Sequence, residues 1–336
     1  MGYQLRKAVI LVLSAISALF LIQYHVVFHP RVDANYLRAR NRSVTFFSKY
    51  NLVLEPITNN FTPNGNRFFL VESSGRSILT RREICTIESV AAHHPEHSVY
   101  VLLTTDLLRR TSTAQHLLDI YPNIRFRFLE FETFIVNSPL RHLWDSGQIQ
   151  QSWYMISHVS DIVRFLILYK FGGIYLDLDQ LLVRPLPDVP NFIGKESRFV
   201  GVGVMRFRVK HPILGKFVDK LGTSFQGQEW NANGPALATS VLEDHCTSFE
   251  DNVCEDISIF PASAFYPIHW TNWKRYFAPE ETDTVLEELT SDTFSIHLWG
   301  KQSSDQPLGG RNAYATLAEK HCPVTFSEVK HQFKMS

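Results

Sequence analysis

The stretch that most restricts the fold is residues 153–171, WYMISHVSDIVRFLILYKF, followed at once by Gly172-Gly173 and then by IYLDLD. Its apolar residues recur at helical spacing, and the glycine pair reads as a helix C-cap. Residues 174–178 then read as a short strand, interrupted by Asp177 and Asp179. A helix delivered this directly into a strand belongs to an α/β domain. The same rhythm runs upstream. Residues 67–71 (RFFLV) and 98–104 (SVYVLLT) read as buried strands with a helix over 78–92 between them, then a helix near 113–121 and a strand at 124–129. Downstream, a strand near 199–205, helices over 212–225 and 235–245, and an apolar strand at 293–299 are expected. Such alternation predicts βαβ units and a mainly parallel sheet.

The other end of the chain addresses the membrane. The first thirty residues contain no acidic side chain. Residues 8–28 are almost continuously apolar, about the 20 residues a helix needs to cross a bilayer core. With Arg6 and Lys7 in front, they read as a transmembrane signal anchor after a cytoplasmic tail of residues 1–7. A cleaved signal peptide is the alternative, and no small-x-small cleavage site follows Ile22. Residues 29–66, punctuated by proline, asparagine and glycine, read as a stem, and residues 67–336 as the catalytic domain. Asn41-Arg42-Ser43 and Asn60-Phe61-Thr62 are glycosylation sequons, which favours a lumenal location. Cys85, Cys246, Cys254 and Cys322 allow three pairings. Cys246 with Cys254 across a short polar loop, and Cys85 with Cys322, is the pairing expected in an oxidising compartment; four free thiols is the alternative. Lys plus Arg and Asp plus Glu are both 33, so the chain has no net field for a polyanion, and no nucleic-acid partner is expected.

Asp177-Leu178-Asp179 carries the chemistry. Residues i and i+2 of a strand share a face, so both carboxylates project together where the strand leaves the sheet. Paired carboxylates repel unless a cation intervenes, and a divalent ion held by them keeps positions free for phosphate oxygens. The carboxyl ends of strands are where open α/β sheets bind ligands. Asp161 and Arg164, three apart on the preceding helix, read either as a plain helical ion pair or as hydroxyl-binding groups facing that edge.

Ser160-Asp161-x-x-Arg164, then Tyr169-Lys170-Phe171-Gly172-Gly173-Ile174-Tyr175-Leu176-Asp177-Leu178-Asp179, resembles the DXD region of sugar-nucleotide glycosyltransferases. Cys85-Thr86-Ile87-Glu88-Ser89, Ala264-Phe265-Tyr266-Pro267-Ile268-His269-Trp270, Ile296-His297-Leu298-Trp299-x-Lys301 and His321-Cys322-Pro323 narrow it. From about residue 67 onward the chain resembles the α1,4-glycosyltransferases typified by lactosylceramide 4-α-galactosyltransferase. The resemblance implies a GT-A type fold, a Rossmann-like mixed sheet flanked by helices. It also implies a Golgi membrane location, Mn²⁺, a UDP-sugar donor, a glycosphingolipid acceptor and transfer with retention of α configuration. In residues, it implies Asp177, Asp179 and His297 on the metal, with Asp177 also near the ribose. Ser73, Ser74, Asp161, Arg164, Tyr175 and Lys301 would bind the donor, Lys301 meeting the diphosphate. Asn233 stands in the region where the family carries an amide residue, beneath the anomeric carbon. Donor sugars compatible with the resemblance are galactose, N-acetylgalactosamine and, with glycoprotein acceptors, N-acetylglucosamine. A GDP-mannose enzyme of the broader DXD group, and a glycan-binding relative without turnover, are the competing readings. One departure stands out: Val202 precedes Gly203 where the family usually shows an Asn.

Overall fold

The computed structural model describes residues 51–333 except 59 and 137. Eleven strands occur among the described residues: β1 Asn51–Val53, β2 Arg67–Glu72, β3 Ser98–Leu103, β4 Leu107–Arg109, β5 Ile124–Phe128, β6 Gly173–Leu176, β7 Gln180–Leu182, β8 Phe192–Glu196, β9 Phe199–Phe207, β10 Ser258–Phe260 and β11 Ser295–His297. Seven of them form one sheet in the order β10-β8-β9-β6-β2-β3-β5. Strands β5, β3, β2 and β6 are parallel neighbours, and β9 runs antiparallel to both β6 and β8. The sheet is therefore mixed, with one reversed strand in an otherwise parallel set.

Strand β2 is buried on both faces, as parallel strands with helical cover must be. Phe68 and Leu70 face a cluster with Ile84 and Ile87 of helix α1 (Arg81–His93). Phe69 and Val71 face a second cluster with Ile162, Phe165 and Leu166 of a helix we call α3 (Met155–Phe171), α2 being Ser112–Ile120. Truncating Phe165 to Ala costs about 3–5 kcal/mol at such a site. Helix α1 starts where a capping box fixes it: Glu83 N–H donates to the Thr80 hydroxyl, and Thr80 N–H donates to Glu83 Oε2. Helices α4 (Pro212–Ser224) and α5 (Pro235–His245) pack on the α3 side, while α6 (Ala313–His321) and α7 (Pro323–Phe333) pack on the α1 side.

The glycine pair does what its spacing predicts. Gly172 ends α3 at φ 63° and Gly173 opens β6 at φ 104°. A Cβ on Gly172 would lie 2.5 Å from the Val209 nitrogen, and one on Gly173 2.7 Å from Arg67 Cγ, so two backbones approach here as only glycine allows.

Three readings need correction. Strand β6 ends at Leu176, so Asp177-Leu178-Asp179 is a turn rather than strand; Gln180 N–H closes it on the Asp177 carbonyl at 3.1 Å. The strand expected at 293–299 is shorter, Ser295–His297, because Trp299 adopts φ 54° and breaks the ladder. Within the stretch read as stem, residues 29–66, part packs on the domain: β1 pairs with β4, and Leu54 and Ile57 are buried. Their apolar positions are too few to display a period, and the sheet edge recruits them through Ile57 N–H to the Phe128 carbonyl at 2.8 Å. Both expected disulfides, Cys246–Cys254 and Cys85–Cys322, are present. No helix among the described residues is long and apolar enough to cross a membrane; residues 8–28, like the sequon at Asn41, lie outside them. Asn60 is exposed.

Candidate active site

Strand order fixes where a ligand binds. From β2 the chain steps outward to β3 and β5, then α3 carries it back to β6 on the other side of β2. The carboxyl ends of β2 and β6 thus flank a topological switch point. Ser73 follows β2 and Asp177 follows β6. Two cavities open there, one of about 810 Å³ over Arg76, Thr80, Arg82 and Leu308, the other of about 230 Å³ between Asp161, Arg164, Glu196, Tyr266 and Trp230. Ser73, Asp177, Asp179 and Gly300 line both.

Asp177, Asp179 and His297 each offer a ligand atom, all within 4.8 Å of one another. Two devices bring them together. The turn after β6 swings Asp179 back beside Asp177, while partly buried Leu178 packs on the core. The antiparallel pairing of β11 with β7 sets His297 opposite Gln180, next to Asp179. His297 Nε2 lies 3.3 Å from Asp179 Oδ1, and Gly300 N–H donates to Asp179 Oδ2 at 2.6 Å. Burial pushes the Asp179 carboxyl up, but His297 and the Gly300 amide overcome it and hold the group below the usual carboxylate range. Burial depresses His297, yet Asp179, with Asp177 and Glu196, leaves it raised. Its Nδ1 is buried with no hydrogen-bond partner. Two carboxylates and an imidazole of this compactness fit a divalent cation.

Asp177 is oriented from behind. The Tyr175 hydroxyl donates to Asp177 Oδ1 at 2.7 Å and shares a 3.0 Å hydrogen bond with the Ser160 hydroxyl. Arg164 lies over the Tyr175 ring at 4.8 Å, its Nη2 3.3 Å from Asp177 Oδ1 and 3.4 Å from Asp161 Oδ1. Burial opposes the Arg164 charge, but Asp177 above all, with Tyr175 and Asp161, holds it protonated. Asp161 fares differently: burial pushes its carboxyl up to about 7, and Arg164 only partly offsets this. Asp161 and Arg164 are in contact with each other and form a wall of the smaller cavity.

Other expected residues divide. Ser73 lines both cavities, its hydroxyl donating to the Ile156 carbonyl at 2.9 Å. Ser74 turns its hydroxyl to Glu72 and lines neither cavity. Tyr175 is fully buried and reaches a ligand only through Asp177. Lys301 lines the smaller cavity with its ammonium against the rings of Tyr154 at 4.7 Å and Trp230 at 4.9 Å. Asn233 departs from its expected place. It is fully buried and does not line the cavity; Oδ1 accepts from Gln226 N–H at 2.9 Å and Nδ2 donates to the Gln226 carbonyl at 2.8 Å. The amide locks the loop before α5 through both of its polar atoms. Val202 does line the cavity, and its carbonyl accepts from Arg164 at 3.0 Å. Sequence reasoning missed Glu196, Trp230 and Gly300. Of these only Gly300, between His297 and Lys301, stood inside a recognised motif.

Comparison with known proteins decides the family. Residues 80–200 match the glycosyltransferase sugar-binding region containing the DXD motif, and residues 206–329 the alpha 1,4-glycosyltransferase conserved region. Lactosylceramide 4-alpha-galactosyltransferase of Rattus norvegicus is 34% identical over 276 residues, 78% of this chain and 75% of that protein. The Homo sapiens protein of the same name is 32% identical over 279 residues, 79% of this chain and 78% of its own. The chain belongs to this α1,4-glycosyltransferase family. It is a glycosyltransferase, and its DXD residues are Asp177 and Asp179. The alpha-1,4-N-acetylglucosaminyltransferase of Homo sapiens is 27% identical, matching 73% of this chain and 75% of its own. Among solved structures, a PaToxG glycosyltransferase covers 88% of this transferase and 98% of itself at TM-score 0.43 and 14% identity.

Proposed function

We propose that this transferase has a GT-A type fold and moves an α-linked hexose, galactose or N-acetylgalactosamine, from a UDP-sugar to the 4-position of a terminal sugar on a glycosphingolipid. Transfer retains configuration and depends on a divalent metal, Mn²⁺. The observation that carries the reading is the convergence of Asp177, Asp179 and His297 at the junction of two cavities. The larger cavity, bordered by the N-terminus of α1 with Arg76 and Arg82, takes the nucleotide; the smaller takes the sugar. A metal held there supplies Lewis-acid stabilisation of the leaving diphosphate.

The chain's own groups do the rest. Tyr175 and Arg164 fix Asp177, and Gly300 N–H fixes Asp179, so the carboxylates need no reorganisation when the donor binds. Asp161 and Arg164 hold hydroxyls of the transferred sugar. Lys301, lining the sugar cavity, adds positive charge beside the departing UDP. No carboxylate is placed on the β face by motif, so same-face attack is favoured over a covalent intermediate. The sugar–phosphate C–O bond breaks, the acceptor oxygen bonds the same face, and its proton passes to a phosphate oxygen of UDP. The chain is placed in the Golgi membrane as a single-pass type II protein anchored by residues 8–28, a reading supported by two disulfides.

Transfer of N-acetylglucosamine is the second reading, favoured by the N-acetylglucosaminyltransferase relative. A donor screen of the purified chain on lactosylceramide separates the two. UDP-galactose, UDP-N-acetylgalactosamine, UDP-N-acetylglucosamine and GDP-mannose are each supplied with Mn²⁺ or EDTA. Metal-dependent transfer from a UDP-hexose is expected; absence of transfer and hydrolysis with every donor would sink the proposal.

A further inference from the structure

One carboxylate of the smaller cavity has no part in the function just proposed. Glu196 ends β8 and lines that cavity with Asp161, Arg164, Val202, Tyr266 and His297. Its backbone is fixed: the β8–β9 register sets Glu196 opposite Phe199 across a tight turn in which Ser197 adopts φ 58°. The side chain is in a different situation from its acidic neighbours. Asp161 and Asp177 have Arg164, and Asp179 has His297 and the Gly300 amide. Glu196 makes no hydrogen bond or ion pair within the described residues, and it is not among the three groups clustered for a metal. A half-buried carboxyl group without a protein partner, facing a cavity, is completed by a ligand or by water.

The cavity says which ligand. Its walls combine the aromatic side chains of Trp230, Tyr266 and Trp299 with a few fixed polar groups, the makeup of a small-molecule site for a ring with polar substituents. The basic groups there, Arg164 and Lys301, are already engaged, by carboxylates and by aromatic rings. Neither cation pairs with Glu196, which leaves its carboxyl to accept from a ligand O–H.

We propose that Glu196 is a specificity residue of the transfer cavity that binds a hydroxyl of a sugar, either the one being transferred or the one accepting it. The inference rests on the transferase function proposed above and assigns that cavity a contact outside the motifs read in the sequence.

The test compares Glu196→Gln and Glu196→Ala with the unaltered full chain in Mn²⁺. Calorimetry gives the affinity for UDP and for UDP-hexose, and steady-state transfer gives KM and kcat for donor and acceptor. Both variants should bind UDP as the parent does. If the hydroxyl belongs to the donor, the extra affinity of UDP-hexose over UDP falls by roughly tenfold or more in Glu196→Ala. If it belongs to the acceptor, donor binding is unchanged and acceptor KM rises by a similar factor with a smaller change in kcat. Unchanged donor increments and unchanged acceptor KM in both variants overturn the proposal. So does weakened UDP binding in both, which would make Glu196 a support of the nucleotide site. A parent chain that binds no UDP defeats the transferase function itself, and the proposal with it.

Discussion

Tyr175 and Asp177 are joined by a hydrogen bond of 2.7 Å, the phenol donating to Oδ1 from two residues upstream. Arg164 covers the same phenol ring, so one side chain stacks on Tyr175 while pairing with Asp177. Asp177 therefore reaches its site already aimed. Removing the hydroxyl with Tyr175→Phe leaves the ring and its packing in place and removes one donor from the carboxylate. Outer partners of this kind carry about 10–100-fold in metal affinity. A Mn²⁺ titration should show that loss with little change in melting temperature.

Asp179→Asn keeps the shape and can still accept from the Gly300 amide, but it removes the charge. Metal-dependent turnover is expected to fall by at least about 100-fold, since a carboxylate ligand becomes a neutral one. His297→Ala should weaken metal binding in the same assay. Turnover by Asp179→Asn at the parental rate in limiting Mn²⁺ would remove the metal assignment.

Gly234 leaves no room for a side chain: a Cβ there would sit 2.6 Å from Asp161 Oδ1. Gly234→Ala must therefore displace Asp161 or the start of α5. The expected outcome is a raised KM for UDP-sugar with UDP affinity retained, and a stability loss of about 1–3 kcal/mol, typical of overpacking. Calorimetry with UDP and UDP-sugar in parallel checks the split.

Acid should destabilise the domain through His94. Leu186 N–H donates to His94 Nε2 at 2.9 Å, so the ring accepts there and must be neutral. Burial, then nearby His97, depresses its pKa from 6.5 to about 4. The unfolded chain takes up this proton near pH 6.5 and the folded chain only near 4. Stability from this group is thus complete above about pH 6.5 and is lost as pH falls toward 4, on the order of 3 kcal/mol at most. Melting temperature measured across that window should drop, and less so in His94→Gln.

Much of this was written in the order of residues. The apolar spacing of α3, the glycine pair and the Asp-x-Asp run announced a helix returning to a strand whose end holds ligands, and β2, β3 and β5 followed from apolar runs alone. Local pattern failed where long-range contact decides. Asn233 has the residue type and neighbourhood of a sugar-binding amide, yet both its polar atoms bond the loop at Gln226 and the side chain is buried away from the cavity. Lys301 sits against two aromatic rings drawn from residues 154 and 230, a meeting no linear spacing foretells. Glu196 carries no motif because its placement depends on a hairpin register. Tyr175 was legible in part, since strand alternation puts it on the same side as Asp177, but its burial depends on α3.

The two cavities that meet at Ser73, Asp177, Asp179 and Gly300 form an hourglass with a charged neck. A ligand too long for one lobe must thread the neck, and whatever lies at its midpoint is held against the acidic pair. On the proposed function that midpoint is the link between diphosphate and hexose, so the length of the donor would set the scissile bond beside Asp177 and Asp179. On that function the two products would part into different lobes, and UDP still in the larger one would stand between the neck and solvent.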